Sequence, residues 1–295
     1  MMFGKTIKIY LSDASASGLR HVEIVNWSGQ AVACPRSKFS ELKAWEEAQR
    51  PGVYFLLEQH ATDGRNNVYI GESENVYDRL VEHFRNKDFW SEVVFFTSKD
   101  ENLTKAHIKY LESRITALAL DADRYDLENS NTPPQSSLPR SERSAMEEYL
   151  HNIKMVMGTL GHPLLEKLDA TSSNKEEKKL ETEEEEIFYF KIKGLTAKGK
   201  RSNEGFVLLK DSQMVKETSD NFRENQKKLL EKREDLTNDE NIVEVTNKCF
   251  ILKKNVLMSS SSYAAAIIAG TARSGPESWK NSIGKSLKQI EEESI

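Results

Sequence analysis

The sequence predicts an α+β protein with two folded domains. Three observations carry that expectation. Short runs with strand-like alternation are joined to their neighbours by tight turns, which makes antiparallel pairs. Separate runs repeat their apolar residues every three to four positions, as helices do. A polar, acidic stretch at 169–186 divides two such mixed regions, and 295 residues suit two domains of about 100–200 residues each.

The elements follow in order. "KTIKIYL" and "HVEIVNW" alternate, and "SG" separates the second from "QAVAC". "RSKFSELKAWEEAQRPG" has a helical pattern that Pro51-Gly52 ends. "VYFLLE" is a buried strand, and "HATDGRNN" turns it into "VYIGE". From Glu74 the period becomes helical, with Val76, Leu80 and Phe84 recurring every four residues. "SEVVFFTS" is a further strand. A helix over about Leu103 to Leu120 carries Ile108, Leu111, Ile115 and Leu118 on one face. "DLENSNTPPQSSLPR" breaks regular structure. Ser144 and Glu147 then have the spacing of a capping box for the helix through "AMEEYLHNIKMVMGTL".

Beyond the acidic run, "IFYFKIK" reads as a strand, "AKGKRSNEG" as a glycine-rich turn and "FVLLKDS" as a strand. "SDNFRENQKKLLEKR" is a charged helix. "CFILKKNVLM" and a small-residue helix, "SSYAAAIIAG", follow.

Composition bounds the function classes. Charged residues make up 30% of the chain and the mean hydropathy is −0.63. No apolar run approaches the roughly 18 residues of a membrane span, and the first residues lack the apolar core of a signal peptide. Cys34 and Cys249 are far apart, which argues against a zinc site or a disulfide framework and for a cytoplasmic protein. The net charge of −5 argues against a broadly basic DNA-coating protein. Much of the acid lies in "EEKKLETEEEEI", so local basic sites remain compatible with it.

One constellation stands apart. Arg79 and His83 lie one helical turn apart at the edge of the stripe made by Val76 and Leu80. Glu112 borders the buried face of the later helix, four residues after Ile108. Charged groups at a core edge need partners, and a salt bridge between Arg79 and Glu112 is the plain reading. Tyr54 and Tyr69 taken alone are packing residues of strands. Together these types suit phosphodiester cleavage. A carboxylate binds a hard divalent cation. A guanidinium clamps phosphate oxygens with a planar fork. A phenol beside a cation or an arginine loses its proton more readily than a free phenol, whose pKa is about 10, and can then take a proton from water. His83 can assist that transfer or bind the phosphate.

"GVY" at 52–54 and "YIG" at 69–71, followed by Arg79, His83, Glu112 and a downstream asparagine, resemble the GIY-YIG nuclease superfamily over roughly residues 50–135. Val53 replaces the isoleucine of the first motif. The asparagine is Asn129 or Asn131, with Asn131, before "TPP", favoured. The resemblance implies a small sheet of three antiparallel strands flanked by helices. It implies one-metal hydrolysis of DNA, with Mg²⁺ or Mn²⁺ on Glu112 and Tyr54 or Tyr69 as general base. Gly52 and Gly71 keep the approach to the site open in that scheme. The corresponding division is a β-rich element at 1–46 packed against the nuclease sheet, a nuclease domain at 47–168, an acidic linker at 169–186 and a second α+β domain at 187–295.

The last domain resembles the DUF4357 type through "GLTAKGKRSNEGFVLLKDS" and "SSSSYAAAIIAGTARSGPESWK". Lys198, Lys200, Arg201, Arg273 and Lys280, with Trp279 as an aromatic platform, are its candidate nucleic-acid contacts; ordinary solvated lysines and a core tryptophan are the plain alternative. The expected activity is a metal-dependent DNA endonuclease, with paired chains if both strands are cut. The alternative is a nucleic-acid-binding or regulatory protein on a catalytically weak nuclease fold.

Overall fold

Alternation along the strands of the first unit decides what packs on each side of its sheet. The computed structural model describes residues 4–58, 65–129, 136–167 and 186–293, and the chain divides into two units, Met1–Lys167 and Leu168–Ile295. Of the acidic run at 169–186, all but Glu186 lies outside the described residues.

The first unit contains β1 (Ile7–Leu11), β2 (Arg20–Ile24), β3 (Gly29–Pro35), β4 (Gly52–Leu57), β5 (Asn67–Ser73), α1 (Val76–Asn86), β6 (Glu92–Ser98), α2 (Lys105–Ala122), β7 (Asp126–Leu127) and α3 (Arg140–Thr159). Its strands form one sheet in the order β1-β2-β3-β6-β4-β5-β7. Every pairing is antiparallel except the short parallel one between β5 and β7. Val53, Phe55 and Leu57 of β4 and Val68 and Ile70 of β5 join the core beneath α2 and α3. Tyr54 and Leu56 point the other way, toward Val76 and Leu80 of α1 and toward Phe39 and Leu42. This is the period-two geometry of a strand buried on both faces.

Several expectations change. The expected three-stranded sheet is the β6-β4-β5 part of a seven-stranded one. The strands within 4–46 do not form a separate element packed against that sheet. β3 runs in register along β6 from Gly29 opposite Ser98 to Pro35 opposite Glu92, so β1, β2 and β3 extend the same ladder. The expected helix before Pro51 is two 3₁₀ segments, Arg36–Ala44 and Glu46–Gln49, broken at extended Trp45. Ser144 and Glu147 form no capping box, because α3 starts at Arg140. Glu147 instead takes the Arg114 guanidinium at 2.6 and 3.0 Å and the Tyr110 hydroxyl at 2.6 Å, which ties α3 to α2.

The second unit contains β8 (Phe188–Ile192), β9 (Leu195–Ser202), β10 (Gly205–Leu208), β11 (Gln213–Met214), α4 (Asp220–Asn225), α5 (Lys227–Asn238), β12 (Val243–Val245), β13 (Phe250–Leu252), β14 (Val256–Met258), α6 (Ser261–Ala269), α7 (Gly275–Ser278) and α8 (Leu287–Glu293). It holds two sheets, β14-β10-β9-β8 and β11-β13-β12. Lys193 and Gly194, both at positive φ, make the tight turn between β8 and β9. The expected charged helix is split at Gln226 into α4 and α5. No helix among the described residues is long and apolar enough to cross a membrane.

A buried polar cluster pins the start of β6. His162, after α3, donates from Nε2 to Glu92 Oε2 at 2.8 Å, and Arg20 of β2 pairs with the other oxygen. Burial pushes the Glu92 carboxyl up, but His162 and Arg20 more than offset it and hold the group below the usual carboxylate range. A depressed carboxyl pKa contributes stability at neutral pH that is lost as acid titrates the folded group. Glu92→Ala leaves Arg20 and His162 without that partner and is expected to cost about 3 kcal/mol, read as a lower urea midpoint for the transition of the first unit at pH 7. The gap between variant and parent should narrow as the pH falls below the carboxylate range.

Candidate functional site

The site begins with a glycine. Gly71 of β5 lies opposite Tyr54 of β4, and a Cβ on it would sit 2.3 Å from the Tyr54 hydroxyl oxygen. Only glycine lets the phenol cross its neighbour. Gly52 serves the ladder instead, since a Cβ there would lie 2.4 Å from the carbonyl oxygen of Phe96.

Tyr54 is 1% exposed, and its hydroxyl meets His83 Nε2 at 2.8 Å. Arg79, one turn earlier on α1, stands beside the same hydroxyl and favours its ionised form. A guanidinium only donates, so the Tyr54 oxygen accepts from Arg79 while it shares a hydrogen bond with the imidazole. Asn75 starts α1 by accepting from the backbone N–H of Asp78 at 3.1 Å, and this fixes Arg79 and His83 on the face toward β4 and β5. Tyr69, half-buried on β5, completes the cluster. Its ring centre is 4.9 Å from that of His83 and 6.3 Å from that of Tyr54, and Lys87 Nζ lies over it at 4.6 Å.

The chemistry departs from expectation at Tyr54. Its pKa is raised above that of a free phenol, because burial and the nearby Tyr69 outweigh Arg79. Burial also lowers His83, to about 4, with the positive charges of Arg79 and Lys87 acting the same way. At neutral pH the pair is therefore a neutral phenol hydrogen-bonded to a neutral imidazole.

The expected plain salt bridge between Arg79 and Glu112 does not form. Arg79 pairs with Glu82 on its own helix, and no hydrogen bond or ion pair holds Glu112 among the described residues. Glu112 reaches the site from the opposite face of the sheet. β7 covers β5 at Asn67 and Val68, and the Asn129 side chain covers it at Ile70. The charge of Arg79 is felt at Glu112, and that of Glu112 at Tyr54. Burial and the neighbouring Glu72 push Glu112 up to about 7.

Glu72 and Lys105 are the residues that sequence reasoning passed over. Lys105 Nζ lies 3.1 Å from Glu72 and 3.5 Å from Glu74. The signal was present: Glu72 follows Ile70 by two, so it shares the α2 side of β5, and Lys105 precedes Glu112 by two helical turns. Asn129 makes a two-point clasp, its Oδ1 accepting from Ile70 N–H at 3.0 Å and its Nδ2 donating to Ile70 C=O at 2.7 Å. It thus substitutes for a strand beyond β7. Asn131 lies outside the described residues.

Among the described residues no group of three or more His, Cys, Asp or Glu side chains is placed to hold a metal ion. Glu112 is a half-buried carboxylate with no hydrogen bond or ion pair among the described residues, its ionised form is disfavoured by burial and by Glu72, and a divalent charge would relieve both.

Comparison with known families adds the second unit. Residues 188–291 match the family model described as a domain of unknown function, DUF4357. This segment is a DUF4357 domain. Neither the curated proteins nor the solved structures gave a match to the chain.

Within the DUF4357 domain the expected contacts separate. Trp279 is not an aromatic platform: it is fully buried, donates from Nε1 to Ser261 C=O at 2.9 Å, and packs on Phe206 and Phe190. Lys198, Lys200 and Arg201 lie on β9 rather than in a turn. Lys200 is buried, and Arg201 pairs with Glu186 at 3.8 Å. Lys198, Arg273 and Lys280 are exposed.

Two outcomes are expected from this geometry. The His83 ring should show no NMR titration midpoint between about pH 5 and pH 8. Because the folded value lies below that of an unfolded histidine, the unfolded chain binds the extra proton and stability falls as the pH drops from about 6.5 toward 4. Gly71→Ala forces the Tyr54 ring from its place and should cost about 1–3 kcal/mol in urea unfolding.

Proposed function

We propose that the first unit is a metal-dependent DNA endonuclease of the GIY-YIG type. One observation carries the reading: two phenols, an imidazole and a guanidinium gather where α1 meets β4 and β5, and the half-buried Glu112 of α2 lies near enough for its charge to act on Tyr54 and for that of Arg79 to act on it. The β4-β5-α1-β6-α2 order supports it, because it distributes these residues over hairpin, first helix and second helix.

Each residue then has a role suited to its surroundings. Tyr54 is too buried to touch substrate, so it positions His83 and, through the hydroxyl, Arg79. Tyr69 has the more open ring and is the better general base. Arg79 exchanges Glu82 for a phosphate oxygen, which its planar fork suits. Glu112 would hold Mg²⁺ or Mn²⁺, with Glu72 adding negative charge behind it. When bound, such a cation acidifies a water and offsets the charge that develops on the phosphate.

A specific observation favours the second reading, a nucleic-acid-binding protein on a weak nuclease fold: Tyr54 is not acidified and Arg79 is tied to Glu82. One experiment separates the two. Supercoiled plasmid, branched DNA, single strands and RNA are incubated with Mg²⁺, with Mn²⁺ and with EDTA. The nuclease reading expects cation-dependent nicking that Glu112→Ala and Arg79→Ala each reduce by about 10²-fold or more, with both variants still folded. Parent rates in both variants would discard this centre. Binding without cleavage under every condition would favour the second reading.

A further inference from the structure

We propose that the DUF4357 domain carries a binding platform for single-stranded nucleic acid, formed by Tyr189 with Lys191, Lys198 and Lys280. This deepens the reading of the protein as one that acts on DNA, because it names a surface that takes the strand.

Strand alternation builds the platform. Phe188 and Phe190 of β8 are buried in the domain core, so Tyr189 and Lys191 between and beyond them project from the other face. Lys198 lies directly opposite Tyr189 on β9. Lys280 lies opposite Tyr189 on the remaining side, through an antiparallel bridge in which the two residues exchange backbone hydrogen bonds at 2.7 and 3.0 Å. Directly opposed residues share a face, at about 5 Å between Cβ atoms. The phenol is therefore flanked by an ammonium on each side, with a third two residues along its own strand.

The chemistry points to one class of ligand. Lys191, Lys198 and Lys280 are exposed and carry no ion pair among the described residues. Unneutralised lysines bracketing a half-buried ring on the outer face match a strand that offers phosphates and an unstacked base together. A duplex keeps its bases stacked and gives the ring nothing to receive. Trp279, the aromatic residue that its sequence position suggests, lies in the core and leaves this role to Tyr189.

The test uses the full chain in EDTA, where metal-dependent cleavage does not occur, so its result is independent of the endonuclease reading. Fluorescence anisotropy measures binding of labelled oligothymidylate, and of a blunt duplex, across a salt series. Tyr189→Ala is expected to weaken oligothymidylate binding roughly tenfold, and Tyr189→Phe, which keeps the ring and reports on folding, is expected to retain it. Lys191→Ala, Lys198→Ala and Lys280→Ala should each reduce the slope of log affinity against log salt by about 0.7. Parent-like binding in the Tyr189→Ala and lysine variants overturns the site. Lysine-dependent binding that ignores Tyr189→Ala, or that favours the duplex, overturns the single-strand assignment.

Discussion

A phenol and an imidazole enclosed together in an apolar layer must satisfy one another, because water cannot. Tyr54 and His83 do so at 2.8 Å, and much of the site follows from that contact. It requires the Tyr54 ring to cross β5, which only Gly71 permits. It sets the rotation of α1, which brings Arg79 to the same hydroxyl and Tyr69 against the imidazole. It also keeps His83 neutral, because burial disfavours an imidazolium and the cations of Arg79 and Lys87 add to that cost.

The sheet around this contact is wider than its motif. Three strands suffice to carry the tyrosines, but β4 and β6 are buried on both faces and need neighbours on both edges. β3 supplies one by pairing along the whole of β6. The other edge is closed only briefly, by β7 and by the Asn129 side chain acting as a surrogate strand on Ile70. The Glu92–His162–Arg20 cluster joins β2, β6 and the segment after α3, where a buried carboxylate needs both of its hydrogen-bonding partners.

The DUF4357 domain solves a different packing problem. Its helix α6 is rich in alanine, so larger groups must fill the space above it, and Trp279 does so with Phe206 and Phe190. That packing consumes the aromatic residue that composition suggests for the surface. The opposite face of β8 and β9 keeps a tyrosine among lysines, with apolar residues held to the core side.

Local patterns determined much of this by themselves. Strand alternation in "KTIKIYL" and "HVEIVNW" was legible because its period is intrinsic to the extended chain, and "VYFLLE" was legible as a short apolar run turned into "VYIGE". So was the stripe of Val76 and Leu80, and so was the serine-capped, glycine-ended α6. The grouping of Tyr54, Tyr69, Arg79 and His83 was legible because the motif spacing is local to a hairpin and its following helix. Tertiary structure decided the rest. Which strands extend the sheet depends on β3 meeting β6 across 57 to 69 residues of chain, and no local period reports that. Whether Trp279 or Tyr189 faces solvent depends on which side of the domain each side chain packs. Whether Arg79 acidifies Tyr54 depends on desolvation, and desolvation is set by everything folded around the ring, not by the residues beside it in the chain.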